Sequence, residues 1–407
     1  MTEFFSDLGL PFPGVITAIL AAVILITLML LSAIFFVWLE RKVAARIQDR
    51  LGPTRVGGKF GWLQTLTDGL KLLVKEDIVP AVADQMLFRM GPYLALVASF
   101  LAFLALPFGY GVVAHDMSIA AFFILGALSL QVFGIILGAY GSGSKWALFG
   151  GMREAAQVVS YEVPRALSVV VPVIVAGTMN LTTICRQQEG FFWNWYLFHD
   201  PFTFAAFWTF FTCGTASCSR APFDLAEAES ELVAGFHTEY SGFRWLIFYM
   251  AEYGSMFVIS GMATLLFLGG WQTGLAPWEL TSVLGGFGNA INIAVFLIKG
   301  WLLVFVMMWV RWTLPRLRID QVMMTCIKYL VPITCVLLLG ASVWELLATH
   351  LPALVYTKYV LAGLCTLGMV FLLLQLLTSQ TLPPSMQPGL WTPSPWLTPP
   401  PSEKVQV

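Results

Sequence analysis

Residues 14–39, GVITAILAAVILITLMLLSAIFFVWL, contain no charged side chain. As a helix rising about 1.5 Å per residue, this run is long enough for the roughly 30 Å of hydrocarbon in a bilayer. Backbone groups in lipid must be paired within their own segment, and the run is continuous rather than alternating, which favours a helix over a barrel strand. The same reading repeats down the chain. Spans are expected at about 90–110, 118–140, 156–179, 201–217, 244–270, 286–311, 323–347 and 352–378, nine with the first. With 58% hydrophobic and 11% charged residues, 32 Phe and 15 Trp, the 407 residues carry more apolar surface than a soluble core hides. The fold class is an all-α, polytopic transmembrane helical bundle.

The organisation follows from the connections. Residues 1–347 read as the bundle, 348–378 as an additional C-terminal transmembrane helix, and 379–407 as an extended tail holding eight of the 22 prolines. The connection at 40–89 contains nine Lys and Arg, whereas 111–117 and 271–285 contain none and 180–200 only Arg186. Positive connections stay on the cytoplasmic side, so the N-terminus is expected outside and residues 218–243 inside, in a bacterial inner membrane. Within the first connection, 60–76 (FGWLQTLTDGLKLLVKE) places Leu63, Leu66, Leu70, Leu73 and Val74 at helical spacing, with Gln64, Thr67, Asp68, Lys71 and Lys75 on the other faces. That pattern predicts an amphipathic helix lying in the membrane interface.

Several chemistries are disfavoured. The six cysteines form no CxxC pair and no His stands at ligand spacing, so neither a metal cluster nor a disulfide framework is indicated. Without a Walker, dinucleotide or iron-sulfur motif the chain does not oxidise a nicotinamide by itself. A net charge of −1 argues neither for nor against nucleic acid, and no nucleic-acid partner is expected. The N-terminal MTEFFSDLGLPFPG has no basic region, and a cleavable signal peptide is not expected.

The charges that lipid disfavours are the candidates for function. Glu162, Arg165, Glu252 and Lys299 fall inside expected spans, and Glu162 and Arg165 are three apart, so they can neutralise each other. Residues 220–242, RAPFDLAEAESELVAGFHTEYSG, concentrate Asp224, Glu227, Glu229, Glu231 and Glu239 among Leu225, Leu232, Val233, Phe236 and Tyr240. On a helix Asp224, Glu227 and Glu231 would share one face, and like charges there raise one another's pKa and titrate as a group.

Two stretches carry a family resemblance: WLERKVAARIQDRLGPTRVG (38–57) and RAPFDLAEAESELVAGFHTEYSG (220–242) with MAEY at 250–253. They resemble the two signature regions of the H subunit of proton-pumping NADH:quinone oxidoreductase, complex I. KEDIVPAVAD (75–84), REAAQVVSYE (153–162) and WVRWTLPRLRIDQ (309–321) add to the likeness, which extends over about 10–345.

The resemblance implies a bundle of eight spans, here with one more, in which a membrane quinone (ubiquinone or menaquinone) enters a narrow chamber. It implies that Glu40, Arg41, Arg50, Asp68, Lys71, Asp224 and Glu229 line that chamber. It also implies a proton relay through Glu162, Glu227, Glu231 and Glu252 with Arg220 as counter-charge, to which Lys299 is added as a further buried charge. FMN and iron-sulfur clusters belong, on this reading, to partner subunits of the hydrophilic arm, other partners being membrane-arm subunits and lipid. The sequence departs from the family at ASCSR (216–220), where Ser217 stands in place of a common carboxylate. Two rivals share buried charges: a secondary cation transporter, for which no paired half-chains are found, and the membrane component of a related membrane-bound hydrogenase.

Overall fold

The computed structural model describes residues 13–226, 229–275, 280–351, 354 and 356–378. Among the described residues helices overlap each of the nine expected spans, the one at 323–347 being interrupted by a π-helical turn. Helix α1 (Pro13–Ile47) is followed by α2 (Gln64–Val74), α3 (Gln85–Leu104), α4 (Ala120–Gly141) and α5 (Lys145–Ala176). Short helices α6 (Leu181–Gln187) and α7 (Tyr196–His199) lead to α8 (Pro201–Ser217), and a single turn, α9 (Glu229–Leu232), precedes α10 (Gly242–Phe267). Helix α11 (Leu280–Thr313) follows, then α12 (Ile319–Met324), a π-helical turn (Thr325–Leu330), α13 (Val331–His350) and α14 (Thr357–Thr378). Among the described residues seven helices are long and apolar enough to cross a membrane. At 17 residues α8 is shorter than those seven.

The two boundaries that differ most from expectation do so for one physical reason. Nothing in ERKVAARI (40–47) breaks a helix, so α1 runs on past the apolar segment, and Glu40, Arg41, Lys42 and Arg46 ride on it rather than in a loop. It stops where Asp49 turns left-handed (φ 51°), just before Gly52 and Pro53. Likewise α5 starts at Lys145 and not at 156, which puts Arg153 and Glu154 on a helix. The amphipathic helix is confined to Gln64–Val74 and buries none of its residues.

The described residues up to 358 pack as one unit, and those from 359 to 378 belong to a second. In the first, α10 is central: 78% of its most apolar window is buried, against 28% for α1. Phe257 of α10 stacks on Phe103 and meets Phe36, Phe108 and Phe296, which ties four other segments to it. Helices α3 and α4 approach through small residues: a Cβ on Gly134 would lie 2.7 Å from the Ala95 nitrogen, and one on Gly91 would lie 2.8 Å from the Gly138 Cα. With no hydrophobic force between helices in lipid, such close backbone contact supplies the packing.

Candidate functional site

The acidic segment is not a helix over most of its length. After α8 the chain reverses through Ser219 in the left-handed region (φ 50°), and Pro222 has no N–H and disfavours a helical residue before it. Asp224 therefore lies in irregular backbone while Glu231 sits on the turn α9, so these two do not share the expected helix face. Glu227 lies outside the described residues, and Glu229 begins the turn α9. The far end of the segment is clamped on α3, where the Tyr240 hydroxyl donates to the Phe88 carbonyl at 2.9 Å and its ring stacks on Phe88. Burial pushes the Tyr240 phenol up. Gly150 lets this segment approach α5, because a Cβ there would be 2.7 Å from the Phe236 nitrogen.

The turn at Ser219 directs the buried Arg220 into the bundle. Its guanidinium pairs with Glu252 of α10 at 2.8 Å and with Glu40 of α1 at 3.3 Å, and lies 4.4 Å over the Tyr253 ring. Burial opposes its charge, yet Glu252, Tyr253 and Glu40 beside it raise the Arg220 pKa well above its ordinary value. Glu40 also takes Arg311 of α11 at 2.6 Å and the Tyr253 hydroxyl, which meets the Tyr249 hydroxyl at 3.0 Å. Two arginines thus face two carboxylates, a balanced set assembled from four parts of the chain.

Beside this hub an apolar groove of about 280 Å³ opens between α1, α2 and α10. Leu66, Leu70 and Leu73 of α2 and Leu30, Ile34 and Val37 of α1 form its walls, and all three leucines of α2 are half-exposed. Arg41 and Asp68 form an ion pair on its lining, and Gln64 donates to Asp68 at 3.0 Å. Tyr249 and Tyr253 line the groove from α10, so its inner wall is the tyrosine that donates to Glu40.

A smaller void of about 30 Å³ lies on the other side of Glu252, lined by Glu154, Ser217, Ser219, His237 and Gln131 among others. It has room for roughly two waters at about 10–15 Å³ each. Ser219 donates to Glu154, and Arg165 of α5 donates to Ser217, the hydroxyl in place of the common carboxylate.

The structure thus brings Glu40, Arg220 and Glu252 together in the hub, and Arg41 and Asp68 at the groove. The other candidates are separate. Asp224 pairs with Arg316 at 3.1 Å, Glu231 with Arg153 at 2.5 Å, and Glu162 lies 4.0 Å from Arg165 and accepts from Ser129. Arg50 bonds Gln48 beyond the end of α1, and neither it nor Lys71 lines the groove. Lys299 donates to the carbonyls of Leu268 and Gln272, at 2.7 and 2.6 Å, and lies over Trp195. Leu268 caps the other end of α10, about 24 Å along the axis from Glu252 at ~1.5 Å per residue.

Sequence reasoning missed Arg311, Tyr253 and Glu154 as site residues. Each lies in a stretch already singled out, and the legible signal was a polar group in or at the end of a long apolar helix.

A multi-helix integral membrane protein with a buried, balanced charge hub between an apolar side groove and a polar void is the class these features define. The family model described as NADH dehydrogenase matches residues 20–342. Three relatives bear the name of the H subunit of NADH-quinone oxidoreductase. The protein of Anaeromyxobacter dehalogenans is 45% identical over 338 residues, 81% of each chain. That of Chlorobaculum tepidum is 44% identical over 331 residues, 80% of this chain and 91% of its own. That of Bacteroides thetaiotaomicron is 42% identical over 330 residues, 80% and 89%. The chain belongs to the family of NADH-quinone oxidoreductase H subunits.

Proposed function

We propose that this chain is the membrane subunit of a bacterial NADH:quinone oxidoreductase that admits the quinone and passes the charge of its reduction into the membrane arm. It acts as part of the assembled complex, with NADH oxidation, FMN and iron-sulfur clusters in other subunits.

The observation that carries this reading is continuity. Tyr253 lines the apolar groove and donates to Glu40, Glu40 pairs with Arg220, Arg220 pairs with Glu252, and Glu252 lines the polar void. An isoprenoid tail fits the leucine-lined groove, because its transfer from water is favourable over the whole contact area. A headgroup near Arg41, Asp68 and Tyr249 gains negative charge on reduction and needs protons. A balanced set of two arginines and two carboxylates responds to such a charge by redistributing protons, since any added charge beside it is felt strongly at low dielectric. From Glu252 the void leads to Glu154 and Ser219, with Glu162 and Arg165 further along α5 and Arg153–Glu231 at the surface.

A photoreactive quinone analogue bound to the assembled complex tests the placement. Labelling is expected on α1, α2 or α10 between Leu30 and Leu73 or between Trp245 and Tyr253; labelling confined to other segments refutes it. Glu231→Gln tests the relay. Its partner Arg153 is partly exposed and the pair contributes under about 1 kcal/mol, so the complex should assemble normally while proton pumping per quinone falls. Full pumping in the assembled variant removes Glu231 from the path.

A further inference from the structure

The end of the bundle opposite the acidic segment carries a second cluster of titratable groups. His199 ends α7, Asp200 caps α8, and Glu345 reaches them from α13. Asp200 is fully buried and fixed: its Oδ1 accepts the Thr203 N–H at 2.6 Å, and the Thr203 hydroxyl closes the capping box. That leaves Oδ2 aimed at the imidazole. His199 Nδ1 lies 3.4 Å from Asp200 Oδ2 and 3.5 Å from Glu345 Oε1, and the three donor atoms lie within 4.8 Å of one another.

Two carboxylates therefore converge on one ring nitrogen, which has at most one proton to offer. The Glu345 Oε1 has almost no exposed surface and accepts no hydrogen bond. A buried carboxylate oxygen that lies 3.5 Å from an imidazole nitrogen without a hydrogen bond is poorly satisfied, and it shares its surroundings with the other two donors.

The dimensions identify what fits there. Zinc holds imidazole nitrogen and carboxylate oxygen at about 2.0–2.2 Å in a tetrahedron, which sets ligand atoms roughly 3.3–3.6 Å apart. Both nitrogen–oxygen separations, 3.4 and 3.5 Å, fall in that window, and the two carboxylate oxygens, within 4.8 Å of each other, would close on a bound ion. One imidazole with two carboxylates is also a donor set that zinc takes. Glu345 and His199 are each about one-third exposed, so a fourth position is open to water.

We propose that His199, Asp200 and Glu345 form a binding site for a divalent transition-metal ion of the Zn²⁺ type. The ion cross-braces α13 to the start of α8. No ligand spacing announces the site in sequence, because Glu345 is supplied by a helix far along the chain from the adjacent His199 and Asp200.

An imidazolium bridging the two carboxylates would use the same geometry without metal, and the following test separates the two. The assembled complex is dialysed against chelator, then against low-micromolar Zn²⁺, and zinc is measured by atomic emission. One equivalent more per complex is expected in the unaltered protein than in His199→Ala or Glu345→Gln, with His199→Cys restoring it. On the unaltered complex, Zn²⁺ should slow diethyl pyrocarbonate modification of His199, read by mass spectrometry, at least tenfold. Equal zinc contents in assembled variants overturn the proposal, as does an unprotected His199 if the variants fail to assemble.

Discussion

Arg220 is ion-paired with both Glu40 and Glu252, so Arg220→Met tests the hub. The substitution keeps much of the side-chain length and removes the charge, leaving Glu40 with Arg311 and depriving Glu252 of its 2.8 Å ion pair. Removing one partner of a buried pair costs about 3–5 kcal/mol, most of it the desolvation of the charge left behind. At roughly 2–4 °C per kcal/mol, the apparent melting temperature of this subunit within the complex should fall by about 6–20 °C. If the loss comes from the carboxylate that has lost its arginine, neutralising that carboxylate must recover part of it. The double variant Arg220→Met, Glu252→Gln should therefore melt above Arg220→Met alone, by about 4 °C or more on the same scale. Thermal unfolding of the purified complex, followed by loss of this subunit from native gels, measures all members of the cycle. Strict additivity of the two single changes, with no recovery in the double variant, refutes the claim that the hub is a mutually compensated charge set.

Two further outcomes follow from the geometry. Gly134→Leu should abolish accumulation of the subunit, because even its Cβ would meet the Ala95 nitrogen at 2.7 Å, whereas a Cβ on Gly126 of the same helix meets nothing within 4 Å, and Gly126→Leu should accumulate normally; immunoblots of membranes compare them. Asp68→Asn breaks a pair that is partly exposed on both sides, so stability should change by less than about 1 kcal/mol, while the KM for quinone rises several-fold in steady-state assays.

The helices of the bundle were legible because a spanning segment must be apolar along its whole length, and such runs stand out in any window. The amphipathic α2 was legible for the related reason that its leucines repeat at helical spacing. What the apolar pattern leaves open is where a helix stops once it is out of the lipid. Glu40 to Ile47 carries four charged residues and is still helical, since a helix ends at a breaker and not at a change in hydropathy. The acidic segment shows the converse. Its charges are spaced as on a helix face, but Pro222 and the left-handed Ser219 and Val233 fix an irregular path, and that path sends Asp224 to Arg316 and Arg220 to Glu252. The hub itself was half visible. Glu40, Arg220 and Glu252 stand out as charges in apolar surroundings, yet their pairing with Arg311, and the part of Tyr253, depend on which faces of α1, α10 and α11 meet. No local spacing encodes that meeting.

The extension of α1 beyond its apolar run carries a mechanical consequence. Glu40 and Arg41 are consecutive, so about 100° of helix rotation separates them, and one addresses the hub while the other addresses the groove. A backbone locked by its own hydrogen bonds has no play between neighbours. Arg41 at the groove and Glu40 in the hub are thus mounted on one continuous rod, Pro13–Ile47, which makes that helix the shared wall of both compartments.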